Sequence, residues 1–330
     1  MESNLAFDWA VPGDRPELEA FVARHYGPDS IQAQADRVRW LFFDNPRGLH
    51  VTVCRSAGEI VACCGHLPEV VVLGGQKYLA GFGVDFMVAP AMRRQGIGRQ
   101  FLDMRLEKFD LSLSMGQSSA MGALYRDFGA KDLGPLFLGE QRRKPPFRGG
   151  PRFLAKGWLT WARGLAATRD DGHTRCRTVS FAAFFSAMAG LGGVDNLDWL
   201  RWRFQDTPYR DYRPGLLESG GSVCGGFFYR PDRGGLMLVE LSLSSADRRH
   251  SLAAIVRSLP SPVTRFLFAG TVLSRSVQAA GFRTRPYGAR LLGIARNRDL
   301  AGQLAIGAID LTCATADADL IRTYAPPGAP

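Results

Sequence analysis

Residues 81–130 read GFGVDFMVAPAMRRQGIGRQFLDMRLEKFDLSLSMGQSSAMGALYRDFGA: a strand, a glycine turn, a helix, a second strand and a second helix. Val84 to Val88 is apolar enough for a buried strand. Pro90 ends it, because proline has no N–H to give a ladder. Arg93-Arg94-Gln95-Gly96-Ile97-Gly98 follows, and then Phe101, Leu102, Met104, Leu106 and Phe109 fall largely on one helical face. The first turn of a helix has unpaired N–H groups and the positive end of the peptide dipoles. Gly96 and Gly98 carry no Cβ, so an anion can approach the backbone there.

Two familiar phosphate loops are excluded. A Walker loop needs Gly-Lys-Ser/Thr, and Gly98 is followed by Arg99-Gln100. A dinucleotide fingerprint starting at Gly96 needs a small residue at 101, which is Phe101. What remains is R-x-x-G-x-G (Arg93, Gly96, Gly98) after V-x-P (Val88, Pro90), with Leu124-Tyr125-Arg126-Asp127-Phe128-Gly129-Ala130 one strand and one short helix further on.

These segments resemble the pyrophosphate loop and the L-Y-x-x-x-G-F/A segment of the GNAT acyltransferase superfamily. The resemblance extends over about residues 50–140. It departs in one place: Gln117-Ser118-Ser119 stands where the family often has Asn. It implies an α/β (α+β) fold with a mixed, mostly antiparallel sheet flanked by helices. It also implies that Met87, Val88, Arg93, Arg94, Gln95, Gly96, Ile97, Gly98, Arg99 and Ser118 hold acetyl-CoA or another acyl-CoA, with no metal. The family's tyrosine, carried over to Tyr125, is the expected acid for the departing thiolate. Asp85, on the strand before the loop, is the nearest candidate base, unless strand alternation turns it from the cleft.

Composition sets wider bounds. The chain of 330 residues is 46% hydrophobic, enough for packed cores and long enough for two domains. The start of the sequence lacks the apolar run of a signal peptide, and the apolar stretch from Phe181 to Val194 is too short and glycine-broken to span a membrane. A cytoplasmic protein is expected. The six cysteines are scattered without C-x-x-C pairs, as buried thiols are, and the five histidines lack ligand spacing. The net charge is +10, and residues 93–169 hold 15 lysines and arginines against 6 acids. A field of this sign attracts a polyanionic cofactor, an acidic acyl-carrier protein or nucleic acid, or it is simply a solvated face. The glycine loop favours free CoA over nucleic acid.

In chain order, Phe7 to Val11 reads as a strand and Arg15 to His25 as a helix. Phe21, His25 and Tyr26 either face the acceptor or pack in the core. Leu49 to Cys54, Glu59 to His66 and Glu69 to Leu73 read as three strands, with His66 at a strand end. Pro135 to Gly139 reads as the last strand of a first lobe. Arg142-Arg143-Lys144-Pro145-Pro146 opens a linker, and Phe153, Leu154, Trp158, Trp161 and Leu165 pattern a basic amphipathic helix.

The second half repeats the first. Arg39-Trp40 and Phe42 match Arg201-Trp202 and Phe204, and Asp44 and Pro46 match Asp206 and Pro208, all 162 positions later. The counterpart of the glycine loop, Ser244 to His250, has no glycine. The expectation is two GNAT-like lobes: residues 1–145 with the acyl-CoA loop, 146–195 as linker and amphipathic helix, and 196–330 as a degenerate lobe. That lobe is either structural or walls one side of the acceptor pocket.

The function expected is acyl transfer from CoA to the primary amine of a small molecule such as an amino sugar or amino acid. Transfer from an acyl-carrier protein, a Fem-like aminoacyl transfer and a non-catalytic CoA-binding interaction module are the other readings.

Overall fold

The computed structural model describes residues 4–27, 29–142, 173–191, 196–243, 248–259 and 261–312. The basic linker beyond Arg142, the amphipathic pattern at 153–165 and the glycine-free segment 244–247 lie outside them. In chain order the first repeat comprises β1 (Leu5–Trp9), α1 (Arg15–Tyr26), α2 (Ala35–Val38), a π-helical turn (Arg39–Phe43), β2 (Val51–Ser56), β3 (Glu59–Leu73), β4 (Gln76–Val88), α3 (Ile97–Lys108), β5 (Leu111–Met115), α4 (Ser119–Asp127) and β6 (Lys131–Arg142). The second comprises β7 (Thr174–Thr178), α5 (Phe181–Ala189), α6 (Leu197–Leu200), a π-helical turn (Arg201–Gln205), β8 (Arg213–Ser219), β9 (Ser222–Asp232), β10 (Gly235–Leu243), α7 (Arg248–Ser258), β11 (Val263–Ala269), α8 (Thr271–Ala279) and β12 (Arg283–Ala295), after which α9 (Arg298–Gln303) and β13 (Leu311–Thr312) close the described chain. The order of elements is the same twice.

The chain divides into two compact units that cut across this order. One is Met1–Gly134 with Arg201–Tyr209 and Arg290–Ile309; the other is Pro135–Leu200 with Arg210–Ala289 and Asp310–Pro330. The contiguous boundaries expected from sequence, 1–145, 146–195 and 196–330, differ from these units for two reasons. The second repeat starts at β7, inside the stretch assigned to a linker. The last strand of each repeat also serves the other unit. In the first unit β5 is flanked on one side by Leu291–Ala295 of β12, antiparallel. In the second, β11 is flanked by residues 137–142 of β6.

Within the first unit β1, β2, β3 and β4 pair antiparallel in sequence, and β4 pairs parallel with β5. Glu59–Leu73 is one strand and not two. Pro68 is tolerated because β2 stops pairing at Gly65, so the missing N–H removes no β2 bond. His66 therefore lies inside a strand and is 1% exposed. One face packs Cys54, Ala62 and Cys64 against Ile97, Phe101 and Met104 of α3, and α3 and α4 meet through Leu102 and Tyr125 beside Ile294. The second unit has its own core, built around Phe227, Leu238, Leu252, Ile255, Phe266 and Val277, with β10 and β11 as its parallel pair. The cysteines of the described residues are free thiols.

Candidate active site

The parallel pair β4–β5 holds together only briefly. Ala80, Gly81 and Phe82 pair with Leu111, Ser112 and Leu113, and β4 then continues to Val88 while the two strands part. Past Phe82, the strand that β4 pairs with among the described residues is β3, where Ala62 pairs with Val88 and Cys63 with Met87, and the Val88 carbonyl accepts from Arg93 Nε at 3.5 Å. A bulge interrupts that ladder: Asp85 and Phe86 together oppose Cys64. Asp85 has a left-handed φ of 48°, a conformation that aspartate visits more readily than most residues. The bulge turns its carboxylate onto Arg37 of α2, whose Nη1 lies 2.6 Å from Oδ2.

Beyond the parting strands lies a cleft of about 1010 Å³. Its walls are the end of α1 (Arg24, His25, Tyr26), the end of β4 (Phe86, Met87, Val88), the turn from Pro90 to Arg99, and α4 with its cap (Ser118, Ala120, Met121, Leu124, Asp127). The turn begins with a 3-10 step at Pro90–Met92 and ends on Gly96, whose φ of 77° favours glycine. No side chain caps α3. Arg99 and Gln100 are the first residues to donate back, both to the Gly96 carbonyl. The N–H groups ahead of them belong to an uncapped helix start, and Arg93, Arg94 and Arg99 stand around it with Arg24 opposite. Among the described residues Asp127 is the one acid on the wall.

Of the expected cofactor residues, Met87, Val88, Arg93, Arg94, Gly96, Ile97, Gly98, Arg99 and Ser118 line the cleft. Gln95 is not on its wall; its amide donates to the Met92 sulfur. Ser118 has a second task, because its hydroxyl caps α4 by accepting from the Met121 N–H. Gly98 has a packing role besides its place on the cleft wall. It sits in the first turn of α3, where a Cβ would stand 2.8 Å from Leu124 Cδ2, so its small size also leaves room for Leu124 of α4.

His25 and Tyr26 line the cleft, whereas Phe21 is core, 3% exposed. His25 stacks on Phe21 with centroids 4.3 Å apart. Burial, helped by Arg24 and Arg93, holds its imidazole below the usual range and hence neutral.

Neither Tyr125 nor Asp85 is on the cleft wall. Tyr125 is 1% exposed. Its hydroxyl is 2.5 Å from Arg105 Nη1 and 3.0 Å from Ser112 Oγ. Arg105 is the center of a buried cluster that the sequence did not flag. Its Nε donates to His66 Nδ1 at 2.7 Å, and its Nη2 lies 3.1 Å from Cys64 Sγ. The other imidazole nitrogen of His66 meets Thr52 Oγ1 at 2.9 Å. Gly83 makes room for the guanidinium, which a Cβ would meet at 2.7 Å. Burial, then Arg105, hold His66 well below the ordinary histidine range, and burial pushes the Cys64 thiol up. Both shifts favour the uncharged forms of the two groups beside the Arg105 guanidinium. Arg105 sits between Phe101 and Phe109 on the apolar face of α3, and that misplaced charge is the signal that marks it.

Among the described residues, no group of His, Cys, Asp or Glu side chains is placed to hold a metal ion. No helix among them is long and apolar enough to cross a membrane.

A family model described as an acetyltransferase (GNAT) domain matches residues 30–131. No curated protein matches the chain. Several solved structures share its fold. A probable N-acyltransferase from Enterococcus faecalis is 14% identical, over 89% of this chain and 72% of its own, with a TM-score of 0.59. A GCN5-related N-acetyltransferase from Anabaena variabilis is 12% identical over 89% and 73%, with a TM-score of 0.58. One from Kribbella flavida is 15% identical over 89% and 71%, with a TM-score of 0.57. The matched segment contains β4, the turn, α3, β5 and α4, most of the elements that build the cleft, and over residues 30–131 the chain is similar to the GNAT acetyltransferase domain.

Proposed function

We propose that this chain transfers an acyl group, acetyl in the simplest case, from acyl-CoA to the primary amine of a small molecule such as an amino sugar or amino acid. The observation that supports this reading most is a single cleft in which an uncapped helix start, three arginines of one turn and the end of β4 beyond its β5 ladder converge. The residues fit CoA. Backbone N–H groups and the guanidinia of Arg93, Arg94 and Arg99 are donors for a pyrophosphate. The main chain of Met87 and Val88 lies beyond the end of the β4–β5 ladder, with the Val88 carbonyl accepting from Arg93 Nε at 3.5 Å, and is the natural rail for an amide-bearing arm.

A thioester is already activated, so the chain has to orient a neutral amine and remove one proton from it. In this proposal Asp85 is the base. Tyr125 is not used in it as the acid that the family resemblance implies; the Tyr125 hydroxyl lies with Arg105 and Ser112 behind the cleft wall. We assign it to holding that guanidinium.

Calorimetry with acetyl-CoA and longer acyl-CoAs tests the reading, with one site per chain expected, followed by thiol release on a panel of amines. Binding of no acyl-CoA would end it, and two equal sites would contradict a second repeat without a cofactor loop.

A further inference from the structure

Asp85 has no face of its own on the cleft. Its Oδ2 is taken by Arg37, and the side chains of the pair are 12% and 2% exposed. Its Oδ1 accepts from the hydroxyl of Tyr26 at 3.4 Å, and Tyr26 is on the cleft wall, 37% exposed. The phenol is thus the link between the buried carboxylate and the space where a substrate nitrogen would stand. Catalytic hydrogen bonds of this length commonly tighten once substrate is present.

We propose that Tyr26 is the proton relay between the acceptor amine and Asp85, a role that rests on the acyl-transfer reading of the same cleft. The phenol donates its proton to Oδ1 and leaves oxygen lone pairs to accept an N–H from the amine. As the bond from nitrogen to the thioester carbon forms, the carbon–sulfur bond breaks and its electron pair goes to sulfur. The surplus proton on nitrogen passes to Tyr26 Oη while the phenol proton passes to Asp85 Oδ1. The return path gives that proton to the sulfur anion through the same two oxygens. Nitrogen has then lost one proton, sulfur has gained one, and both side chains are as they began.

The relay never charges the phenol. This suits its surroundings, since burial and then the Asp85 carboxylate push Tyr26 well above the usual phenol range. Arg37 fixes the carboxylate without competing for the proton, because a guanidinium stays charged at any working pH.

The test compares Tyr26→Phe, Asp85→Asn and the double variant in the full chain, with acetyl-CoA and the best amine of the panel. Tyr26→Phe keeps the ring and removes only the relay oxygen. Its kcat should fall by about 10² or more, with acetyl-CoA affinity and acceptor KM within about threefold of wild type. The double variant should fall no further than Asp85→Asn, because the two residues act as one path. A Tyr26→Phe enzyme with unchanged kcat, or with a raised KM alone, overturns the relay, as do losses that multiply in the double variant. If Asp85→Asn leaves Arg37 uncompensated and loses acetyl-CoA binding through misfolding, the kcat and KM of Tyr26→Phe decide alone. A wild-type chain that acetylates no amine overturns the acyl-transfer reading and the relay with it, whereas an active wild type with an equally active Tyr26→Phe overturns the relay only.

Discussion

Trp40 and Trp202 are bonded to each other reciprocally: the indole N–H of each donates to the other's backbone carbonyl, at 2.8 and 2.7 Å. Their rings stack with centroids 4.7 Å apart and planes 15° apart. The two residues are equivalent in the internal repeat, and each lies in a π-helical turn. A reciprocal contact between equivalent positions is what a local two-fold relation produces. Tyr209 meets the Trp40 ring edge-on, and the Arg203 guanidinium lies over the same ring.

This pairing should carry much of the first unit's stability. Trp40→Ala removes a side chain that is 3% exposed and should cost about 3–5 kcal/mol. Trp40→Phe keeps the stack but leaves the Trp202 carbonyl without its indole donor, a loss of about 1–3 kcal/mol. The Trp202→Phe loss should be similar, and the two should combine non-additively in the double variant. Urea unfolding with both variants and the double would read the coupling. Strict additivity would mean that the pair is not a unit.

Gly98 tests how packing shapes the cleft. In Gly98→Ala the new Cβ drives Leu124 Cδ2 from its place, and Leu124 has the cleft to move into. The expected outcome is a folded protein whose acyl-CoA affinity drops about tenfold, roughly 1.4 kcal/mol. Gly98→Ala combined with Leu124→Ala should recover most of it. If the second substitution rescues nothing, Gly98 is needed at the turn itself, as the sequence alone suggests.

His66 makes a prediction about acid. Its folded value lies well below the ordinary one, so the unfolded chain takes up the proton first as pH falls. Stability from this group is complete above about pH 6.5 and declines below it, by up to about 1.4 kcal/mol per pH unit for one proton. His25 and His50 are shifted in the same direction and add to the slope. Denaturant unfolding between pH 7 and 5 should therefore show a shallower decline for His66→Gln than for wild type. An equal slope in both would remove His66 from the account.

What could be read in the sequence was local chemistry, and what could not was partner choice between strands. Pro90, Gly96 and the apolar face of α3 each state their conformation in one residue or one period, and the repeat is legible because tryptophan is rare enough to show a constant offset. The division of β6 and β12 between the two units is invisible because which strand a strand pairs with is set by tertiary contacts that no local pattern states. Glu59 to His66 and Glu69 to Leu73 read as two strands, with Pro68 in the gap, since nothing local says that β2 has already stopped pairing. Arg37 and Asp85 are 48 positions apart, and a bulge, which no periodicity reports, brings them together. Tyr125 was found by motif, but which way its hydroxyl points depends on Arg105, a charge set in an apolar stripe.

Tyr125→Phe separates the motif's implication from the geometry. If the phenol were the thiolate's acid, its loss would cost turnover by about 10² to 10⁴ and leave stability alone. In the structure the hydroxyl instead satisfies a guanidinium that is 3% exposed and whose other partners are His66, Ser112 and Cys64. Removing one acceptor from a buried cation leaves part of its charge unmet, a cost of about 1–3 kcal/mol. The hydroxyl also bridges α4 to β5 through Ser112, so the loss should appear as a lower unfolding midpoint with the denaturant slope unchanged. Acetyl-CoA affinity should stay near wild type, because Tyr125 is not on the cleft wall, and turnover at a temperature where the variant is folded should change by less than about tenfold. A stable variant with a hundredfold lower kcat would return the acid's role to Tyr125 and require the Arg105 cluster to open during the reaction.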